Sequence, residues 1–387
     1  MRSRICILSF SSIAWDARVL REIEAASDHY DVDVIGYGDW QGKSANIRFF
    51  SLPRSKTNIA SVLSKYTRVP LGYLHPEQWE KHFWQRPEYR LALQILLQEK
   101  YDLIHANDWD ALPVAARAAQ QVGSRLLFDA HEYTPAQEAD KLLVRLFNLP
   151  VRVYLFKTYQ DWITKAITVS DGLRSLYQQN FGWSSEVIMN APYYVQSKFR
   201  PVDPGEIHLA HHGAAIRSRQ LEDFIDLVKF LEPRFRLNFM LVPTDASYLK
   251  HLKSLANHVA PGRIVFHEPV PPREINKKLI KFDLGIPLMR ANTLSYFNAL
   301  PNKFFEYVMA GLGIAVSPLP SMQKIVEEHT IGVIATDQSI QGMTVALNNL
   351  TVERINQFKQ NSLELAKTLN AEHEMEKLMK IYGELLK

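Results

Sequence analysis

The sequence predicts an α/β protein built from two Rossmann-like domains, and three observations carry that prediction. Short β-rich apolar runs recur with helix-like segments between them, the pattern of parallel α/β architecture. Several of these runs are hydrophobic without alternation, as strands covered on both faces require. The 387 residues, 47% of them hydrophobic, offer more core than one ordinary domain uses.

In the first half, strands are predicted at Ile5 to Phe10, Val32 to Tyr37, Ile47 to Leu52, Leu103 to Asn107, Leu126 to Asp129, Ala166 to Ser170 and Glu186 to Met189. A second series runs through Ile207 to His211, Leu237 to Val242, Ile264 to Phe266, Leu284 to Leu288, Ile314 to Ser317 and Val333 to Ala335. Between them, Tyr193 to Gly205 holds Pro201 and Pro204 and little periodic hydrophobicity, so it reads as the interdomain linker. The domains are accordingly placed at 1–195 and 206–370. The last segment, 371–387, reads as a helix with Leu378, Ile381, Leu385 and Leu386 on or near one face, and it is expected to pack back on the first domain.

A formal net charge of +4 is small for this length, and the basic residues are scattered, which argues against a nucleic-acid partner. The lone cysteine, Cys6, lies in an apolar run and excludes an intramolecular disulfide or a cysteine zinc site. The basic and apolar N-terminus is too short for a signal-peptide core and reads as the first strand. A reducing cytoplasmic setting is therefore expected. Two stretches mix aromatic or leucine residues with cations: Tyr66 to Tyr89, and Lys141 to Lys165 with Leu142, Leu143, Leu146, Arg145 and Arg152. Each reads either as ordinary packed helices or as a peripheral contact with a membrane surface.

The chemistry concentrates in Leu300-Pro301-Asn302-Lys303-Phe304-Phe305-Glu306-Tyr307-Val308-Met309-Ala310-Gly311. Pro301 can open a helix whose free amides face an anion such as a nucleotide diphosphate, and Lys303 adds a cation in the first turn. Glu306, about one turn on, can accept both hydrogen bonds of a ribose diol. A second site is His211-His212-Gly213-Ala214-Ala215-Ile216-Arg217-Ser218-Arg219, a strand passing through glycine into a loop. Gly213 permits close backbone approach, and Arg217 or Arg219 can neutralise phosphate.

Pro301-Asn302-Lys303-x-Phe-Glu306-Tyr307-x-x-Ala-Gly311 resembles the donor-site signature of glycosyltransferase family 4, of the GT-B fold. Asp16-Ala-Arg18-Val-x-x-Glu22, Asp129-Ala-His131-Glu132 and Ile167-Thr-Val-Ser170 resemble that family's N-domain, so the likeness runs over nearly the whole chain. It implies two Rossmann-like domains facing across a cleft and a retaining, metal-independent transfer, with Glu306 on the donor ribose and Lys303 beside the diphosphate. It further implies that Pro269 and Val270, after the run Arg263 to Glu268, meet the nucleobase. Asn298 stands where the family often has the first acid of a Glu-x7-Glu pair, and Ala214 stands where a basic residue commonly follows the glycine. Arg217 or Lys303 would have to substitute for that basic residue.

In the first domain Asp16 falls just past the first strand, where an open α/β sheet places ligands, and could orient or deprotonate an acceptor hydroxyl. His131 ends another strand, where a neutral imidazole could contact the transferred sugar. Asp108 and Asp110 are further acceptor-side candidates. No cofactor and no metal are expected; the substrate is a nucleotide sugar, a UDP-sugar first and a GDP-sugar second. The resemblance implies a saccharide or lipid-linked acceptor, in bacterial surface polysaccharide assembly at the inner membrane face. A nicotinamide oxidoreductase is disfavoured because the first loop, Ser11 to Arg18, lacks any glycine. A non-hydrolysing sugar-nucleotide epimerase and a non-catalytic sugar-nucleotide-binding relative remain the rival readings.

Overall fold

The structure, a computed structural model, describes residues 2–42, 44–54, 59–136, 142–287, 289–291, 293–298 and 300–387. Leu288, at the end of one predicted strand, and Lys141, at the start of the second cationic stretch, lie outside the described residues. The chain divides into two compact units: Met1–Met189 with Thr293–Tyr296 and Met375–Lys387, and Asn190–Asn292 with Phe297–Glu374.

Unit 1 carries a seven-stranded sheet of β1 (Arg4–Ser12), β2 (Asp31–Tyr37), β3 (Ile47–Leu52), β4 (Leu103–Asn107), β5 (Arg125–Ala130), β6 (Lys165–Thr168) and β7 (Ser185–Val187), in the order β3-β2-β1-β4-β5-β6-β7. Every pairing is parallel. Its helices are α1 (Ala17–Ser27), α2 (Ile59–Leu71), α3 (Glu77–Phe83), α4 (Pro87–Gln98), α5 (Ala111–Val122), α6 (Leu142–Phe147), α7 (Leu149–Tyr159) and α8 (Asp171–Phe181). In unit 2 a six-stranded parallel sheet runs β10-β9-β8-β11-β12-β13, from β8 (Ile207–Ala214), β9 (Phe235–Val242), β10 (Ile264–His267), β11 (Leu284–Gly285), β12 (Gly313–Val316) and β13 (Gly332–Ile334). Around it lie α9 (Glu222–Phe230), α10 (Ala246–Val259), α11 (Ile275–Leu279), α13 (Asn302–Met309), α14 (Pro320–His329), α15 (Ile340–Asn348) and α16 (Val352–Ala366), while α12 (Leu294–Phe297) and α17 (Ala371–Leu385) are shared between the units. Residues of α12 and of α17 belong in part to unit 1.

The non-alternating strands have the burial they predicted. On β1, Cys6 and Leu8 enter the core on one face of the sheet, with Ile104 and Phe128, while Ile5 and Ile7 enter the core on the other, with Val19 and Ile23. That second core also takes Leu378, Ile381, Tyr382 and Leu385 from α17, which docks further through a 2.7 Å hydrogen bond between Tyr382 Oη and His105 Nδ1. Burial raises the Cys6 thiol well above its ordinary range, so it is an inert core residue.

The strand order reverses between β1 and β4 in unit 1 and between β8 and β11 in unit 2. In open parallel sheets the crevice at such a reversal, outside the carboxyl ends of the strands, is where ligands bind. Gly285 on β11 lets the Tyr307 ring pack directly on the strand: a Cβ there would meet that ring at 2.3 Å. Tyr307 in turn anchors α13 beside β8.

Leu378 is fully buried. Leu378→Ala is expected to destabilise unit 1 by about 2–5 kcal/mol through lost burial and a residual cavity. A urea titration followed by tryptophan fluorescence checks this, and an unchanged midpoint would remove α17 from the unit 1 core.

Candidate functional site

In unit 2, α13 begins at Asn302 with Pro301 extended before it, and its first turn lies beside the end of β8. Gly213, next to last in β8, has φ +122, a conformation L side chains rarely adopt. A Cβ built on it would stand 2.8 Å from Arg219 Nη1 and 3.5 Å from Lys303 Nζ. Two cations therefore converge over one glycine, and among the described residues no carboxylate comes within ion-pair distance of either. Lys303 is only 9% exposed. Burial first, and then Arg219, hold its ammonium down to about 7, against a smaller upward pull from Glu306.

Its neighbour His211 is buried and neutral, because burial first and Lys303 next push it well below the ordinary range. Its Nδ1–H donates to the Ile286 carbonyl at 2.8 Å, which leaves Nε2 as an acceptor 3.5 Å from Lys303 Nζ. Next to it, His212 Nε2 lies 3.1 Å from a Glu306 carboxylate oxygen, yet is misaligned for a hydrogen bond. The His212 ring meets Tyr307 edge-on at 5.2 Å. Gly213, Arg219, Lys303, Glu306 and the two histidines thus form one polar cluster.

The other sequence candidates fall as follows. Arg217 is turned away, 3.6 Å from Asp245 and 4.8 Å above the Tyr248 ring. Asn302 Oδ1 accepts from Asn190 Nδ2 at 2.7 Å. Asn298 is buried, with its carbonyl accepting from Ser321 Oγ at 3.0 Å. Pro269 and Val270 sit in the half-buried loop after β10.

In unit 1, Asp16 is the N-cap of α1, its Oδ1 accepting from the Val19 amide at 3.2 Å. That capping accounts for an acidic residue at this position. His131 follows β5, with Nδ1 3.5 Å from Asp129 and Nε2 3.8 Å from Asp108. Burial lowers its pKa, but Asp129 and then Asp108 outweigh that and raise it to about 10. The expected neutral imidazole is therefore an imidazolium, 23% exposed. Asp108 holds a left-handed φ of 70 and accepts from the Trp109 amide at 2.8 Å, a conformation aspartate tolerates. Asp110 is raised to about 7, by burial first and then by Asp108.

Behind His131 lies a buried ion network. Arg18 reaches Asp129 at 2.5 Å, Glu22 at 3.3 Å and the Ile188 carbonyl at 3.0 Å. Glu22 is pushed well above the carboxylate range, by burial and then by Asp129. Arg18 and His131, against the opposing effect of burial, hold Asp129 far below that range. Glu22, His105 and Asp129 each place one donor atom within 4.8 Å of the others. The Arg18 guanidinium already serves as their cation, so this donor set does not fit a metal ion.

Residues 16–192 match the family model described as glycosyl transferase 4-like domain. Among solved structures, sucrose-phosphate synthase from Thermosynechococcus elongatus is 15% identical with a TM-score of 0.76, covering 99% of each chain. Anabaena HepE in complex with UDP and glucose is 15% identical with a TM-score of 0.69, over 99% of this chain and 100% of that one. A trehalose-6-phosphate synthase from E. coli bound with UDP-2-fluoro glucose is 14% identical with a TM-score of 0.71, over 100% and 99%. These are GT-B glycosyltransferases, and the two parallel-sheet units of this chain have their fold. No curated protein gives a significant sequence match. The matched stretch includes Asp16, Arg18, Glu22, Asp129 and His131, but ends before β8 and α13.

Because His131 is raised, its pairing with Asp129 contributes stability that is full below about pH 6.5 and is lost as the pH rises through about 10. Asp129→Asn is expected to return His131 toward its ordinary pKa and to cost about 3–5 kcal/mol, as for one partner removed from a buried pair. NMR titration of the histidine ring protons checks the first, and a His131 that titrates near neutrality in the native chain would refute the pairing.

Proposed function

We propose that this chain is a retaining glycosyltransferase that moves a sugar from a nucleotide sugar to a hydroxyl of a saccharide or lipid-linked acceptor. A UDP-sugar is the first choice of donor and a GDP-sugar the second. The observation that carries this reading is the convergence of Arg219 and Lys303 over Gly213, with Glu306 one turn further along α13. Two cations brought together without a counter-charge call for an anion with several oxygens, which a nucleoside diphosphate supplies. The solved neighbours in complex with UDP and glucose and with UDP-2-fluoro glucose support the choice of base.

In this reading Lys303, Arg219 and the first amides of α13 hold the diphosphate, and Glu306, backed by His212, takes the ribose hydroxyls. Pro269 and Val270 meet the base, while Asn298 and Asn302 are polar contacts for the donor. The bond from the anomeric carbon to the diphosphate oxygen breaks, the acceptor oxygen replaces it on the same face, and the acceptor proton passes to the departing diphosphate oxygen. Charge that develops on the departing diphosphate is met by preorganised donors, the largest catalytic contribution open to such a site. His131, as an imidazolium, donates to the transferred sugar. Asp16 is the acceptor-side carboxylate. The reaction runs without a metal or other cofactor, in bacterial surface polysaccharide assembly, on a cytoplasmic chain peripheral to the inner membrane face.

Calorimetry with UDP, GDP, dTDP and ADP sugars is expected to show selective binding of a UDP-sugar. Glu306→Ala is expected to weaken it about 10–100-fold, the loss of hydrogen bonds to a charged group. Binding of none of the four would sink the donor site, and binding without transfer to any acceptor would favour a non-catalytic relative. Transfer that stopped on chelation and returned with magnesium would refute the metal-free reading.

A bound diphosphate raises the Lys303 pKa from about 7. Affinity is then full below pH 7 and falls by up to about tenfold per pH unit as the pH rises above it, until the pKa of the complex is reached. Proton uptake at pH 8, measured by calorimetry in buffers of different ionisation enthalpy, checks this; uptake unchanged in Lys303→Met would assign the proton elsewhere.

A further inference from the structure

We infer that His211 is a positioning residue of the donor site: its Nε2 lone pair receives the Lys303 ammonium and holds it over Gly213 without cancelling its charge. This rests on reading the cluster around Gly213 as the site of a nucleotide diphosphate, and it names the residue that keeps that site cationic.

The His211 ring is held independently of Lys303. It is 2% exposed, on β8, in register with Phe239 of β9. Its centroid lies 4.1 Å from the Phe224 ring of α9, and it meets the Phe239 ring edge-on at 6.0 Å. Nδ1 stands 2.8 Å from the Ile286 carbonyl, which can only accept, so the ring proton belongs there. A neutral imidazole then keeps a lone pair on Nε2, 3.5 Å from Lys303 Nζ. Among the described residues this is the one hydrogen-bond acceptor that the ammonium has.

The charged groups that act on the ammonium besides are Arg219, which opposes its charge from the turn after β8, and Glu306, which favours it from one turn along α13. Around His211 they are Lys303, His212 and Arg219. Burial first, and then Lys303, keep the ring from taking a second proton. A carboxylate in this place would pair with the ammonium, as Asp129 pairs with Arg18, and leave no charge for a ligand. An apolar side chain would leave the buried ammonium without an acceptor, which favours the neutral amine. A neutral lone pair does neither.

The test is calorimetry with UDP-glucose, whose diphosphate does not titrate near neutrality, at pH 6, 7 and 8 on the full chain and its variants. His211→Gln keeps an amide donor for Ile286 and an acceptor for Lys303, and is expected to bind within about twofold of the native chain at each pH. His211→Leu keeps the packing and loses the acceptor. A tenfold shift of Lys303 toward its amine, from a pKa of about 7, weakens binding about twofold at pH 6, fivefold at pH 7 and ninefold at pH 8. His211→Glu is expected to bind about tenfold more weakly than the native chain at pH 6 and to lose the pH dependence. A His211→Leu deficit that is absent, or the same at every pH, overturns the inference, and so does an equal loss in His211→Gln, because packing alone produces either. Should the leucine variant fail to fold, long-range proton–nitrogen NMR of the native chain decides. His211 is expected as the Nδ1–H tautomer from pH 6 to 8, with its Nε2 resonance moving when UDP-glucose draws Lys303 toward phosphate; an Nε2–H tautomer or a doubly protonated ring overturns the inference. Native UDP-glucose binding with an unaltered His211→Leu profile defeats this inference alone. No binding by the native chain, or native-like binding by Lys303→Met, defeats the donor assignment and this inference with it.

Discussion

Taking an ammonium group out of water costs several kcal/mol unless an anion meets it, and the second unit is arranged around a lysine that no carboxylate among the described residues meets. Lys303 is nearly buried, and Arg219 converges with it over Gly213. The nearest polar partner, His211 Nε2, is a neutral lone pair that can orient the lysine but cannot cancel its charge. The tautomer that exposes this lone pair is set by the Ile286 carbonyl, just past β11. Gly285, Tyr307 and the register of β8 with β11 therefore all serve to hold a cation where the protein alone does not satisfy it. Such an arrangement is stable only as a small debt carried by a well-packed sheet, and an anionic ligand removes it.

Unit 1 treats its buried charge in the opposite way. Arg18 is answered by Asp129, and Glu22 is pushed toward its neutral acid, so the network is closed within the unit. What it exports is the state of His131. An imidazole beside solvent alone would be largely neutral at pH 7, whereas one held against Asp129 and Asp108 keeps its proton. The buried pair thus converts a residue that could accept a proton into one that donates a hydrogen bond. A positioning role for Arg18 follows, since it fixes Asp129 and is itself fixed by the Ile188 carbonyl.

The thirteen strands among the described residues were legible because parallel strands buried on both faces write continuous apolar runs, and, Leu288 apart, their ends moved by only a few residues. Ile207 to His211 is the largest extension, since β8 continues to Ala214. That continuation carries polar residues and a glycine, which a hydrophobicity pattern reads as a stop. The candidate site was legible where one segment holds several of its residues, as α13 does. It was not legible where the partners are remote. His212 is 94 positions from Glu306, and nothing in a histidine pair before a glycine says which carboxylate it will face. The imidazolium form of His131 was hidden because Asp129, two positions before it, turns back to its ring, and Asp108, just past β4, adds to that pull.

The departure at Ala214 shows how the fold resolves what the chain order leaves open. With no basic side chain directly after the glycine, either Arg217 or Lys303 had to stand in, and sequence distance favours Arg217. Arg217, however, lies past the end of β8, in a short turn whose surroundings offer it Asp245 and the face of Tyr248. An arginine with a carboxylate and an aromatic ring already in reach gains little by leaving them. Lys303 has no such alternative, because the helix it sits on is pinned by Tyr307 against β11 and its ammonium is aimed at Gly213. The residue nearer in sequence is held elsewhere, and the one ninety positions away takes the place beside the glycine.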